Sequence, residues 1–126
     1  DKQGAIWIAT SKGLNKLQLS DAENPLQNAQ FTIFKSTPEG LDNDFIYQIL
    51  ADRHGGVLVR SGHGNVFSLT PDSQYKSYVI KQLPISQDDY LMSFSLGRSG
   101  KIWAAGRKGI YAWNAETEKV EFYQYD

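Results

Sequence analysis

Residues 1–14 read DKQGAIWIATSKGL and decide the fold, because the same pattern returns twice further along the chain. Residues 52–64 read DRHGGVLVRSGHG, and residues 97–110 read GRSGKIWAAGRKGI. The copies align at a first glycine, a bulky apolar residue and a second glycine: Gly4, Gly55 and Gly100; Trp7, Leu58 and Trp103; Gly13, Gly64 and Gly109. Each copy predicts a strand between two glycine turns, repeated with a period of roughly 45–50 residues.

Further strand-like runs recur between these copies. Residues 44–50 (DFIYQIL) and 89–95 (DYLMSFS) each precede a copy, and short aromatic runs at 31–34, 75–78 and 120–123 follow one. Gly, Asn, Asp, Ser and Pro separate the runs, as turns require. Four short antiparallel strands in each unit is the arrangement of a propeller blade.

The sequence therefore predicts an all-β chain of about three four-stranded antiparallel blades, the first lacking its inner strand. We expect a partial β-propeller over residues 1–126, as a fragment of a larger propeller, with blade repeats at approximately 1–35, 44–79 and 89–126. The stretch 21–28 is polar and interrupted by proline, so we expect a loop there.

Composition excludes several classes of function. The formal net charge is −1 without a basic stripe, so nucleic-acid binding is not expected. The absence of cysteine excludes disulfides and thiol catalysis. No apolar run is long enough to span a bilayer, and we expect no direct membrane contact. His54 and His63 fall near opposite ends of one strand, so neither a metal site nor a cofactor is predicted.

The repeat resembles the two-component-regulator propeller repeat. The first copy matches that family's motif at every position that defines it: Asp1, Gly4, Ile6, Trp7, Ile8, Thr10, Gly13 and Leu14. The second copy has Leu58 in place of Trp and Ser61 in place of Thr. The third copy has Gly97 in place of Asp and Gly106 in place of Thr. Residues 40–47 also resemble the loop that enters the inner strand of the next blade in that family.

The resemblance implies a ligand-sensing segment of a bacterial signal-transduction receptor. It implies a periplasmic propeller, completed by further blades and anchored in the inner membrane, whose cytoplasmic output is a histidine kinase or a diguanylate cyclase. The segment itself is then not an enzyme. Two alternatives remain open: a propeller enzyme of the lyase or glycan-processing kind, and a protein-interaction scaffold. An enzyme would need a His or carboxylate cluster at the central channel, whereas no copy carries the residue pairs of the Trp-Asp repeat scaffolds.

Polar side chains predict a ligand-binding face. In a propeller, the blade-to-blade connection and the turn between the second and third strands open on one face. This groups residues 41–44 and 86–89 with the turns that contain Ser11, His63 and Arg107. The candidate contacts for a polar small molecule or saccharide are Lys12, Asp42, Asp44, Arg60, His63, Asp88, Asp89, Arg107 and Lys108. The acids recur at one loop in successive blades, which favours turn and capping roles, so no catalytic residue is predicted.

The motif tryptophans are predicted to pack between adjacent blades rather than to stack on a ligand. Three blades alone leave two apolar end faces uncovered. We therefore expect the chain to self-associate, either face to face or by closing a ring from two copies.

Overall fold

The computed structural model describes residues 4–19, 26–27, 29–52, 55–74, 77–86 and 88–125. These residues form strands and turns, with no helix among them. The strands are β1 (Ile6–Thr10), β2 (Gly13–Gln18), β3 (Gln30–Phe34), β4 (Ile46–Ala51), β5 (Val57–Ser61), β6 (Val66–Pro71), β7 (Tyr78–Gln82), β8 (Leu91–Leu96), β9 (Ile102–Gly106), β10 (Gly109–Asn114) and β11 (Lys119–Gln124).

The strands make three antiparallel sheets, each a simple meander in chain order. The first sheet has three strands (β1–β3), while the middle sheet (β4–β7) and the third sheet (β8–β11) have four each. This confirms the all-β prediction and the strand counts. Neighbouring strands along the chain pair because short turns reverse the chain; Gly4, Gly55 and Gly100 take the positive φ expected of hairpin glycines.

Equivalent positions point the same way in all three sheets. Val57 and Ile102 each face the preceding sheet, while Trp7 and Leu58 each face the following one. Two separate apolar cores result, one between the first and middle sheets and one between the middle and third. The middle sheet is therefore apolar on both faces, as its burial pattern at Val57–Val59 shows.

The first strands of the three sheets lie next to one another. β1 contacts β4, and β4 contacts β8. Gln48 of β4 fixes the second contact, because its amide donates to the carbonyl of Phe94 at 2.6 Å and accepts from the Phe94 N–H at 3.1 Å. The Gln48 side chain thus satisfies the backbone N–H and carbonyl of Phe94, because β4 and β8 belong to different sheets and do not pair through their main chains.

Two details differ from the sequence-based expectation. Of the strand expected at 75–78, Tyr75 and Lys76 lie outside the described residues, and β7 begins at Tyr78. Just before it, Asp72 accepts hydrogen bonds from Gln74 N–H and Ser77 Oγ. Gly109 does not take a positive φ, unlike Gly13 and Gly64. The loop expected at 21–28 lies largely outside the described residues, and so does Asp1, the first residue of the repeat motif.

Trp103 does not pack between sheets. It is 38% exposed, because it points away from the middle sheet, on the face of the third sheet that no described element covers. Trp7, at the equivalent position, packs as predicted and stacks on Phe34 at 5.6 Å.

Candidate functional site

One edge of the stacked sheets carries all the predicted ligand contacts, and we call it the upper edge. It contains the turns β1–β2, β5–β6 and β9–β10 and the two connections between sheets, residues 35–45 and 83–90. The opposite, lower edge carries the remaining turns. Strand directions alone place the predicted residues together at the upper edge, because successive turns of an antiparallel meander alternate between its two ends.

The first connection is tied to the β5–β6 turn of the middle sheet. Asn65 Nδ2 donates to Asp42 Oδ2 at 2.6 Å, and the Gly62 N–H donates to the Phe45 carbonyl at 2.7 Å. The other oxygen of Asp42, Oδ1, is buried and has no donor among the described residues. One carboxylate oxygen is therefore committed to the fold, and the other still has hydrogen-bonding capacity.

Asp44 holds its own connection. It accepts from the Ser36 N–H at 2.6 Å. This hydrogen bond, together with one to the Ser36 side chain and the nearby Lys35 charge, keeps the pKa of Asp44 below its usual value despite some desolvation. The turn-holding role predicted for the acids is confirmed at this position.

Asp89 is buried and holds the β9–β10 turn. Its Oδ1 accepts from Arg107 N–H, and its Oδ2 accepts from Lys108 N–H and Tyr111 Oη, each at 2.9 Å. Burial acts to raise the pKa of Asp89, but these hydrogen bonds and one from Tyr90 N–H outweigh it, so the pKa lies below its usual value.

Gly106 makes room for that carboxylate. A Cβ at Gly106 would collide with Asp89 Oδ2. The other sheets have Thr10 and Ser61 at the equivalent position. The glycine at position 106, where the repeat motif has Thr, thus has a local cause, because a side chain there would exclude the buried Asp89 carboxylate.

Two cations extend from the same turn. Lys108 Nζ donates to Asp88 Oδ2 at 2.9 Å on the surface, and this hydrogen bond raises the pKa of Lys108. The Arg107 guanidinium lies over the Tyr90 ring, 4.9 Å from its centroid. Tyr90 in turn donates to the Gly62 carbonyl at 3.2 Å. The middle and third sheets are therefore joined through Tyr90 beneath an exposed arginine.

The sequence analysis missed an aromatic pair at the start of β4. Phe45 and Tyr47 are 40% and 51% exposed and stack on each other with centroids 4.4 Å apart. The pairing of β4 with β5 is irregular between Ile46 and Gln48, and this bulge turns the Tyr47 side chain outward. The only signal in the sequence is that three large apolar residues stand in a row, which no strand can bury on one face.

Arg60 completes this cluster. Its guanidinium lies 4.9 Å from the Tyr47 ring centroid, and its Nη1 donates to the Leu91 carbonyl at 3.3 Å. Its Nε is buried and has no acceptor among the described residues. The cluster combines an exposed aromatic surface with a guanidinium cation, which is a chemistry suited to a neutral or anionic ring-shaped ligand.

The remaining predicted contacts are less closely placed. His63 and Lys12 are exposed at the tips of the β5–β6 and β1–β2 turns. Within the described part of the chain, no hydrogen bond connects the Lys12 side chain to the network between Asp42 and Lys108. Gln87 and His54 lie outside the described residues.

The backbone occupies two of the predicted carboxylates. Asp44 and Asp89 are occupied by backbone donors, and the described residues contain no group of three His, Asp or Glu side chains able to hold a metal. No protein-family model matches the chain, and no curated protein matches it. Within the described ranges there is also no helix long and apolar enough to cross a membrane.

Proposed function

We propose that the chain is a ligand-sensing segment of a β-propeller of the two-component-regulator type. The three sheets support a propeller because they stack in chain order with equivalent residues facing the same way and with their first strands adjacent. In such a propeller, further blades would cover the outer faces of the first and third sheets. The parent receptor would place this segment in the periplasm and signal through a histidine kinase or diguanylate cyclase.

The ligand is proposed to be a saccharide bound at the upper edge. The observation that carries this proposal is the exposed Phe45–Tyr47 stack with the Arg60 guanidinium against it. Aromatic faces pack against the apolar faces of pyranose rings, while arginine donors and carboxylate acceptors pair with their hydroxyl groups. The exposed Arg107 and His63 would extend this surface along the same edge.

A glycan array probed with the chain tests the binding. We expect retention of at least one oligosaccharide and a roughly fivefold loss of affinity in Tyr47→Ala, because one stacking contact is worth about 1 kcal/mol. Tyr123→Ala is the matched control, since Tyr123 is 50% exposed and also stacks on an aromatic ring, but on the third sheet's outer face. Equal affinity of the two variants, or an array without any retained glycan, would overturn the proposal.

Recovery of the bound glycan separates a sensor from an enzyme. We expect chromatography to return the oligosaccharide unchanged after prolonged incubation with the chain. Cleaved or unsaturated products would instead establish the lyase or glycan-processing alternative. In the intact receptor, His63→Ala or Arg107→Ala should weaken the response to the inducing glycan, whereas Arg98→Ala, in the exposed β8–β9 turn of the lower edge, should not.

A further inference from the structure

The two inter-sheet cores are filled differently at the lower edge. Between the first and middle sheets, the cross-strand pair Trp7 and Lys16 fills the space. The Lys16 ammonium lies 4.9 Å from the centroid of Tyr78 and 5.9 Å from that of Trp7, and Phe34 closes the cluster. This interface is therefore filled by aromatic rings that surround the aliphatic part of the Lys16 side chain.

The equivalent pair between the middle and third sheets is Leu58 and Ser68. Both residues are smaller than their counterparts, and a cleft of about 370 Å³ opens at this point. Leu58, Leu83, Leu96, Ile102 and Trp113 give it an apolar floor. Its volume is within the range of small-molecule sites. The cleft thus arises from a substitution inside the repeat, and it shares no residue with the proposed saccharide site.

Trp113 is a buried residue with an unused donor. Its side chain lines the cleft and is 2% exposed, and its indole N–H has no acceptor among the described residues. A buried donor without a partner costs free energy, which a bound molecule carrying an acceptor oxygen would recover.

Charges of both signs surround the mouth of the cleft. Lys81 of the middle sheet meets Glu118 of the third at 3.1 Å, and Lys101 and Glu116 also line the cleft. Lys81 and Glu118 are both well exposed, and exposed ion pairs contribute little to stability. Lys81 and Glu118 can therefore give up their ion pair and bind the charged groups of a ligand at a small cost in free energy. Such a mouth complements a molecule that carries both a carboxylate and an ammonium group.

We propose that this cleft binds an α-amino acid with an apolar side chain. The side chain lies on the floor formed by Leu58, Ile102 and Trp113. The carboxylate pairs with Lys81 and accepts from the Trp113 indole N–H, while the ammonium group pairs with Glu118. The proposal does not depend on the function assigned to the upper edge, because the two sites share no residue.

Nuclear magnetic resonance titration with L-phenylalanine tests the site. The chain has three tryptophans, and so three indole N–H signals. We expect saturable movement of the Trp113 signal, with those of Trp7 and Trp103 unchanged. Phenylpropionate and phenethylamine, which each lack one of the two charges, should bind at least tenfold more weakly. No saturation at millimolar phenylalanine, or equal binding of the three compounds, would overturn the proposal.

Two variants locate the site. Leu58→Trp combined with Ser68→Lys copies the pair that fills the other interface, and we expect it to abolish binding. Lys81→Met should weaken phenylalanine binding at least fivefold without disturbing the fold, since Lys81 is exposed, whereas Lys119→Met, outside the cleft, should leave it unchanged. Equal affinity of Lys81→Met and Lys119→Met would show that the carboxylate is not bound as proposed, even if the double variant does not fold.

Discussion

At the scale of single residues, Asp89 is predicted to contribute more to stability than its exposed neighbour Asp88. Asp89→Ala leaves the donors Arg107 N–H, Lys108 N–H and Tyr111 Oη without their acceptor. We expect the free energy of unfolding in urea to fall by about 2–4 kcal/mol. Asp88→Ala, which removes only a surface ion pair, should cost less than about 1 kcal/mol. Equal losses would contradict the role given to Asp89.

The same carboxylate predicts a pH dependence. Its pKa in the folded chain lies below the usual value of 3.8, so its stabilising effect is complete above that pH. As pH falls below 3.8 toward the folded-state pKa, the effect is lost. The melting temperatures of the wild-type chain and Asp89→Asn should therefore differ most near neutral pH and converge in acid. A difference that grows below pH 4 would have the wrong sign.

Gly64 and Gly4 form a matched pair that separates two contributions to the free energy of unfolding, backbone strain and steric overlap. Their φ angles are 76° and 75°, but a Cβ on Gly64 would lie 2.5–2.9 Å from three ring carbons of Tyr90, whereas one on Gly4 meets nothing within 4 Å. Gly4→Ala should cost at most about 1–2 kcal/mol, the price of the left-handed conformation. Gly64→Ala should exceed it by about 1–3 kcal/mol in chemical denaturation, because the ring must move. Equal costs would refute the close approach.

At the scale of elements, the contact between β4 and β8 depends on Gln48. Gln48→Leu keeps the size of the side chain but leaves the Phe94 N–H and carbonyl without partners. We expect a loss of about 1–3 kcal/mol in unfolding free energy and faster hydrogen exchange at the Phe94 amide. Gln82→Leu, on exposed β7, is the control and should change stability by less than about 0.5 kcal/mol. An unchanged hydrogen-exchange rate of the Phe94 amide in Gln48→Leu would contradict the role given to Gln48.

At the scale of the whole molecule, the two end faces are complementary. The outer face of the first sheet exposes Ile6, Ile8, Phe31 and Ile33. The equivalent face of the middle sheet is the one that packs against the first sheet. The outer face of the third sheet exposes Trp103. Trp103 is equivalent to Trp7, which packs against the middle sheet. Two copies should therefore associate head to tail, since a heterologous contact that closes makes a ring.

This association is predicted at micromolar concentration in light scattering. Ile8→Asp and Trp103→Asp should each give monomers, because each removes one half of every head-to-tail contact. An equimolar mixture of the two variants should regain dimers through the one pair of intact faces. If instead one variant alone stays dimeric, the contact is face to face between like surfaces, and a monomeric wild-type chain would show that the end faces do not associate.

Much of the candidate site follows from the sequence, and the rest depends on local geometry. The repeat register places residues 41–44, His63 and Arg107 at one edge, since strand direction follows from counting turns. The exposure of Tyr47 depends on a bulge, which needs the partner strand to be seen. The commitment of Asp89 to backbone donors depends on Gly106, which lies opposite it on the neighbouring strand β9, where it pairs with Leu91.

The sequence by itself determined the strands, their order and their meander pairing. These are local properties, because alternation within a strand and glycine at a turn act over a few neighbouring residues. Only the tertiary structure decided which apolar residues are covered and where space remains. Trp7 and Trp103 have a similar local sequence context, yet Trp7 packs against a core and Trp103 is 38% exposed, because burial depends on the sheet that stands opposite. The cleft beside Trp113 has the same origin, since a gap between sheets is a property of both surfaces together.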